Sequence, residues 1–287
     1  MEQHFYIGTM EIIYHVDQEF SLENFDSLFL QPVLPIESCI HVFLRWVDTL
    51  DTLPEEAAHA STHHFLAWQT DNDERRVYLR WEKTPLLASH LNASQKQVYI
   101  TTLQDGREEI LKRFRPWFNI HLERLQLWNR AIVLHSASII YRGEAILFTA
   151  PSGTGKTTQT DLWHEYRTGV SDLNGDRTVL QKTDKGWYAC GFPIYGSMVR
   201  CAQAAVPIRA IVVLRQAEMD TVRELSMIEK IMDLYSECTI MRNYPEDVEA
   251  AINLLENLVA SETVVKLNCT MERSAVDVLH EYLYGEE

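Results

Sequence analysis

The chain has 287 residues, 46% of them apolar, which exceeds one ordinary domain and suffices for two packed units. Its 41 acidic against 26 basic side chains leave a formal net charge of -15, and this excludes a broad nucleic-acid footprint, which needs a basic face. No apolar run reaches bilayer length, the opening MEQHFYIGTM lacks the basic-then-apolar order of a secretory signal, and Cys39, Cys190, Cys201, Cys238 and Cys269 form no C-x-x-C pair, so the expectation is a cytoplasmic protein with reduced thiols and no membrane partner.

The front of the chain reads as strands. HFYIGTMEIIYHV, CIHVFLRWV, HHFLAWQT, RRVYLRWE and KQVYITTL are rich in β-branched and aromatic residues with partial alternation, which predicts a mostly β N-terminal domain over 1–112. A helix is expected next, because Phe118, Leu122 and Leu125 share one face at i, i+4, i+7 and Pro116 suits a first turn. It leads into an α/β domain over 113–287, in which strands alternate with helices. AIVLHSASII and EAILFTA are strands, TTQTDLWHEY a helix, IRAIVVL a strand, SMIEKIMDLYSE a helix. EDVEAAINLLENLVAS is a helix with Val248, Ile252, Leu255 and Val259 on one face, TVVKL a strand and SAVDVLHEYL a closing helix. Eight of the eleven glycines lie between Gly143 and Gly196, so tight turns and close ligand approach are expected there.

Within that window TAPSGTGKTT matches seven of the eight positions of the phosphate-binding pattern G-x-x-x-x-G-K-S/T, with Ala150 in place of the first glycine. A triphosphate requires backbone N–H groups pointing inward from the turn after a buried strand. Gly153 and Gly155 let the backbone approach phosphate oxygens, Thr154 faces out between them, and Ser152 and Thr158 flank the turn. Lys156 brings a point charge to the β and γ phosphates, Thr157 a hydroxyl for Mg2+, and the following helix its positive end. Alanine at position 150 is acceptable unless positive φ is required there. The plain alternative is a glycine-rich turn without a ligand, but the strand before and the helix after are the context the motif requires.

VLHSASIIYRGEAILFTAPSGTGKTTQ resembles the catalytic core of HPr kinase/phosphorylase, in which a histidine-bearing strand, a glycine turn, a second strand and the loop follow at this spacing, with His135 and Gly143 in register. SGTGKTT is also similar to the loop of ATP-dependent phosphoenolpyruvate carboxykinase, which shares that core fold. The resemblance runs from Ala131 to about Ser197. It implies an α/β phosphate-loop core, here preceded by the β domain, with ATP and Mg2+ as cofactors. HPr kinases carry two adjacent aspartates where this chain has Gly175-Asp176-Arg177. Aligned on Asp-Arg, Asp176 is the second of the pair; aligned on Gly-Asp, as in the carboxykinase pattern, it is the first, and both readings stay open.

Asp176 is then the loop acid available to hold Mg2+ or to accept a proton, and otherwise a turn former in Asn-Gly-Asp. The resemblance implies that His135 orients Asp176, although a lone strand histidine is more often a satisfied core residue. Asp161, four residues past Thr157, either reaches the metal's surroundings or complements the helix dipole. Arg177 and Arg200 are the nearest cations, with surface ion pairing as their plainer fate, and Gly191, Pro193, Gly196 and Ser197 shape a loop after a strand. The expected activity is an ATP-dependent kinase with Asp176, His135 and Lys156 as catalytic residues and a hydroxyl acceptor, a serine of a protein or peptide or free serine. A nucleotide-binding regulator without transfer chemistry and a simple ATPase are the alternatives, and homo-oligomerisation is left open.

Overall fold

The computed structural model describes residues 2–16, 29–50, 60–61, 65–70, 73–79, 84–92, 94–106, 120–193 and 200–285. The chain is mixed α/β, with two sheets, and divides into two compact units, Met1–Leu122 and Glu123–Glu287. The expected 112/113 boundary lies outside the described residues, as do Pro116 and Phe118.

The first unit contains β1 (Glu2–Ile7), β2 (Met10–Val16), β3 (Ser38–Val47), β4 (Ala60–Ser61), β5 (Phe65–Thr70), β6 (Asp73–Leu79), β7 (Pro85–Asn92) and β8 (Gln97–Leu103), in the spatial order β1-β2-β3-β8-β7-β6-β5-β4. Pairing is antiparallel except for β2 with β3 and β3 with β8. Strict alternation sends Met10, Ile12, Tyr14 and Val16 to one face of β2 and leaves Glu11, Ile13 and His15 half-exposed on the other. The interior also holds a polar group: Glu74 and Arg76 on β6 and Ser89 on β7 are buried with His121. Arg76 donates to both oxygens of Glu74 at 2.7 and 3.1 Å. His121 lies between Glu74 Oε2 at 3.0 Å and Ser89 Oγ at 2.9 Å. Burial alone would raise the Glu74 carboxyl, but the hydrogen bond and charge of His121, with Arg76 adding to them, hold it well below the usual carboxylate range.

The second unit contains α1 from Glu123 onward (Leu122–Trp128), β9 (Ala131–Tyr141), β10 (Glu144–Thr149), α2 (Lys156–Tyr166), β11 (Ser171–Asn174), β12 (Arg177–Thr183), β13 (Gly186–Cys190), β14 (Ala205–Gln216), β15 (Thr221–Glu224), α3 (Met227–Glu237), α4 (Pro245–Ser261), β16 (Val264–Cys269) and α5 (Arg273–Tyr284). Its main layer runs β11-β9-β10-β14-β16-β15, with β10, β14 and β16 mutually parallel. The first residues of β9 and β14 leave this layer to pair with β12 and β13. β9 and β10 join through Arg142 and Gly143, both at positive φ, the two-residue turn whose twist matches a hairpin.

Side chains of β10 alternate between two cores. Ala145 and Leu147 pack in one cluster with Leu234 of α3 and Leu255 and Leu258 of α4, whereas Ile146 and Phe148 pack in the other with Leu162 and Trp163 of α2 and Val276 and Leu279 of α5. Helices therefore cover both faces of β10, which explains why the strand reads as an unbroken apolar run. The apolar stripe of α4 differs from expectation. Asp247, Ala251, Leu255, Leu258 and Val259 are buried, while Val248 and Ile252 are only half-buried. Asp247 is admitted to the interior because Arg124 reaches it at 2.8 Å. Among the described residues no helix is long and apolar enough to cross a membrane.

Candidate functional site

The candidate loop leaves β10 at the carboxyl end of the parallel β10/β14 pair, where open α/β sheets form their ligand crevices. Thr149 anchors the strand end by donating its hydroxyl to the His135 carbonyl at 2.9 Å. Ala150 is buried and has no positive φ, so the missing first glycine removes no conformation that the loop uses. Gly153 at φ 79° and Gly155 at φ 108° are left-handed, so these two glycines are required by the backbone.

From Ser152 to Thr158, only the Thr154 amide donates to a backbone carbonyl among the described residues, that of Pro151 at 3.3 Å. The amides of Gly153, Gly155, Lys156, Thr157 and Thr158 therefore remain at the positive end of α2, which begins at Lys156 with Gly155 as its cap and no capping side chain. Space beside the loop is open: a Cβ on Gly153 would meet nothing within 4 Å. Ser152 and Thr157 are exposed and Thr158 is half-buried. The Lys156 ammonium folds back onto the Ala150 carbonyl at 2.8 Å and the Pro151 carbonyl at 3.4 Å. Partial burial lowers its pKa, opposed by the charges of Glu237 and Asp176.

Asp176 reaches this neighbourhood through strand register. Arg177 pairs with His135 across β12 and β9, and the Ser136 amide donates to the Asp176 carbonyl at 3.0 Å. The turn that presents Asp176 is organised by Asn174, which is buried and accepts the amides of Asp176 and Arg177, each at 2.9 Å, while donating to the Phe192 carbonyl at 2.6 Å. Gly175 between them approaches Arg200 so closely that a Cβ would lie 3.3 Å from the Arg200 Cβ.

His135 Nε2 stands 3.8 Å from Asp176 Oδ1, within ion-pair range but beyond a hydrogen bond. Its hydrogen bond goes instead from Nδ1 to Glu237 Oε2 at 2.9 Å. Glu237 sits 102 residues away in sequence at the end of α3, where nothing in a linear reading connects it to the loop. The structure thus gathers Asp176 and Glu237 around His135, and the charges of the two acids act on Lys156. Asp161 and Arg200 pair with each other at 2.5 Å, and Arg177 stays 3.5 Å from Asp176 and donates to Thr239 Oγ1. The Gly191 amide donates to the Ala204 carbonyl at 3.0 Å; Gly196 and Ser197 lie outside the described residues.

A loop of amides without backbone acceptors and one ammonium at a helix N-terminus is suited to an oxyanion of high charge. The acids and imidazole beside it supply proton acceptors and oxygen ligands. No family model matches the chain, and no curated protein matches it.

Proposed function

We propose that the chain is an ATP-dependent phosphotransferase with an HPr kinase/phosphoenolpyruvate carboxykinase type of phosphate-loop core, moving the γ-phosphoryl group to a hydroxyl, that of a serine in a protein or peptide or of free serine. The observation that carries this reading is the set of amides at Gly153, Gly155, Lys156, Thr157 and Thr158 without backbone acceptors, at a helix start that also bears an ammonium. Such a cradle suits a polyphosphate tail, and the overall charge of -15 makes it a local site rather than part of a basic face.

The loop amides hold the phosphate oxygens, and Lys156 exchanges the carbonyls of Ala150 and Pro151 for phosphate. The residues that would hold Mg2+ are Thr157, with an exposed hydroxyl, and Asp176, a partly exposed carboxylate whose charge acts on the loop's lysine; such an ion takes one or two protein oxygens and completes its shell from phosphates and water. When bound, the ion neutralises charge on the transferring group. Asp176 orients the acceptor hydroxyl and takes its proton as the oxygen bonds to phosphorus and ADP leaves.

The test is incubation with Mg·[γ-32P]ATP, with and without serine peptides and free serine. Label on an acceptor is the expected result. Free phosphate alone makes the chain an ATPase, and unreacted bound ATP makes it a nucleotide-binding regulator; either overturns the transferase reading. No binding of ATP at all removes the loop assignment itself.

A further inference from the structure

Glu237 is an odd residue to find where it is. It is the last residue of α3, where the helix dipole is negative and a cation is the favoured neighbour, and no basic side chain occupies that last turn. Its carboxylate is largely enclosed, with 11% of the side chain exposed, and among the described residues the ion-pair partner is His135. A carboxylate kept there against the dipole needs a positive or donating surrounding, and the candidate site supplies it.

The backbone leaves Glu237 little freedom. α3 starts at a capping box, in which Ser226 and Glu229 bond each other's backbone, and runs 11 residues to Glu237. Cys238 then bridges Leu134 on β9, and the Thr239 amide donates to the Val133 carbonyl at 2.9 Å. Arg177 ties down the Thr239 hydroxyl. The helix end is thus stitched to the strand one residue before His135.

We propose that Glu237 is a positioning residue of the transfer site: it accepts the Nδ1–H of His135 and so fixes the ring's plane and tautomer, with Nε2 turned towards Asp176. The proposal rests on the phosphotransferase reading. With Nδ1 committed as donor to Glu237, the ring turns its Nε2 edge to the Asp176 side, 3.8 Å from Oδ1. Glu237 also stands with Asp176 as a carboxylate acting on Lys156, so the site holds two acids although its turn contains one. The second comes from a helix end.

Two variants and two readouts test this. In 1H–15N spectra of histidine side chains, assigned by difference with His135→Asn, the wild-type ring is expected as the Nδ1–H form, Glu237→Ala as a mixture, and Glu237→Gln as Nδ1–H again because its amide oxygen still accepts. In labelled-ATP turnover, E237A is expected to lower kcat roughly 10- to 100-fold with KM for ATP changed less than about threefold, and E237Q to recover most of the loss. An unprotonated Nδ1 in the wild-type protein, or an E237A variant with wild-type kcat, overturns the positioning role while leaving the transferase reading standing. A wild-type protein that binds Mg·ATP but transfers nothing overturns the transferase reading and with it any catalytic consequence of Glu237, and the spectra then report on the hydrogen bond alone.

Discussion

Replacing Lys156 by methionine removes the ammonium and keeps most of the aliphatic stem, so it isolates the charge. Without ligand, that ammonium is already bonded to the Ala150 carbonyl at 2.8 Å and reaches the Pro151 carbonyl at 3.4 Å. Binding a polyphosphate therefore exchanges one good neutral acceptor for a charged one. The ammonium is charged in both states, so each bond is of the charged class, about 1.5–3 kcal/mol, and the exchange gains at most the width of that range. That is about 1.5 kcal/mol or less, which is up to about tenfold in Kd. The loop amides that lack backbone acceptors remain in the variant, so measurable affinity should persist. Turnover should suffer more, because charge moves onto the bridging oxygen as the phosphoryl group leaves and Lys156 is placed to follow it; a loss of about 100-fold or more is expected. Calorimetry with Mg·ATP and a non-hydrolysable analogue gives the first figure and labelled-ATP turnover the second. A K156M variant with unchanged Kd and unchanged turnover would refute the assignment of this loop to phosphate.

Gly155→Ala places a Cβ on a residue at φ 108°, with Thr158 Cβ only 4.0 Å away, so backbone strain rather than collision is the cost; a loss of about 1–2 kcal/mol in urea unfolding is expected, together with weaker ATP binding. Asp176→Asn should lower transfer by about 100- to 10,000-fold while the fold, held by Asn174 rather than by the Asp176 side chain, keeps its Tm. Glu74→Gln removes the buried carboxylate that both Arg76 and His121 contact and should cost about 3–5 kcal/mol by urea unfolding. Because the folded-state pKa of Glu74 is depressed, its contribution is complete above the ordinary glutamate pKa of about 4.3 and declines as pH falls below it, so the gap between wild type and E74Q should narrow from pH 6 to pH 3. A constant gap across that range would mean that Glu74 carries no proton-linked stability.

What was legible in the chain was local. β9 and β10 are buried by helices on both faces in their shared layer, so their apolar runs stand out, and the loop shows itself because positive φ at Gly153 and Gly155 demands glycine within a few residues of a lysine. β7 did not show itself, since Ala88, Ser89 and His90 interrupt its apolar character; Ser89 is nonetheless buried because His121, 32 residues on, bonds it. β15 is a short edge strand with mostly exposed residues, Thr221 to Glu224, and carries no hydrophobic signal. On α4 the buried face includes Asp247, which an amphipathic reading assigns to water; its partner Arg124 lies 123 residues earlier, beyond the reach of such a reading.

The same distinction decides how the acids of the site should be counted. A cradle of amides is made by consecutive residues, and its pattern is written consecutively. A set of carboxylates around a lysine has no such requirement, because charges act through space and any element that passes nearby can supply one. Asp176 comes from a turn after β11 and Glu237 from the end of α3, brought together because β12 and the Cys238 bridge both attach to β9 around His135. Whether the turn aligns as Gly-Asp or Asp-Arg then loses much of its weight: either alignment counts acids along one loop, whereas the field on Lys156 includes a carboxylate that the loop does not contain. A single aspartate in the turn is accordingly weak support for a regulator that has lost its chemistry, and D176N and E237A measured side by side would separate the acid that meets the acceptor from the acid that holds the histidine.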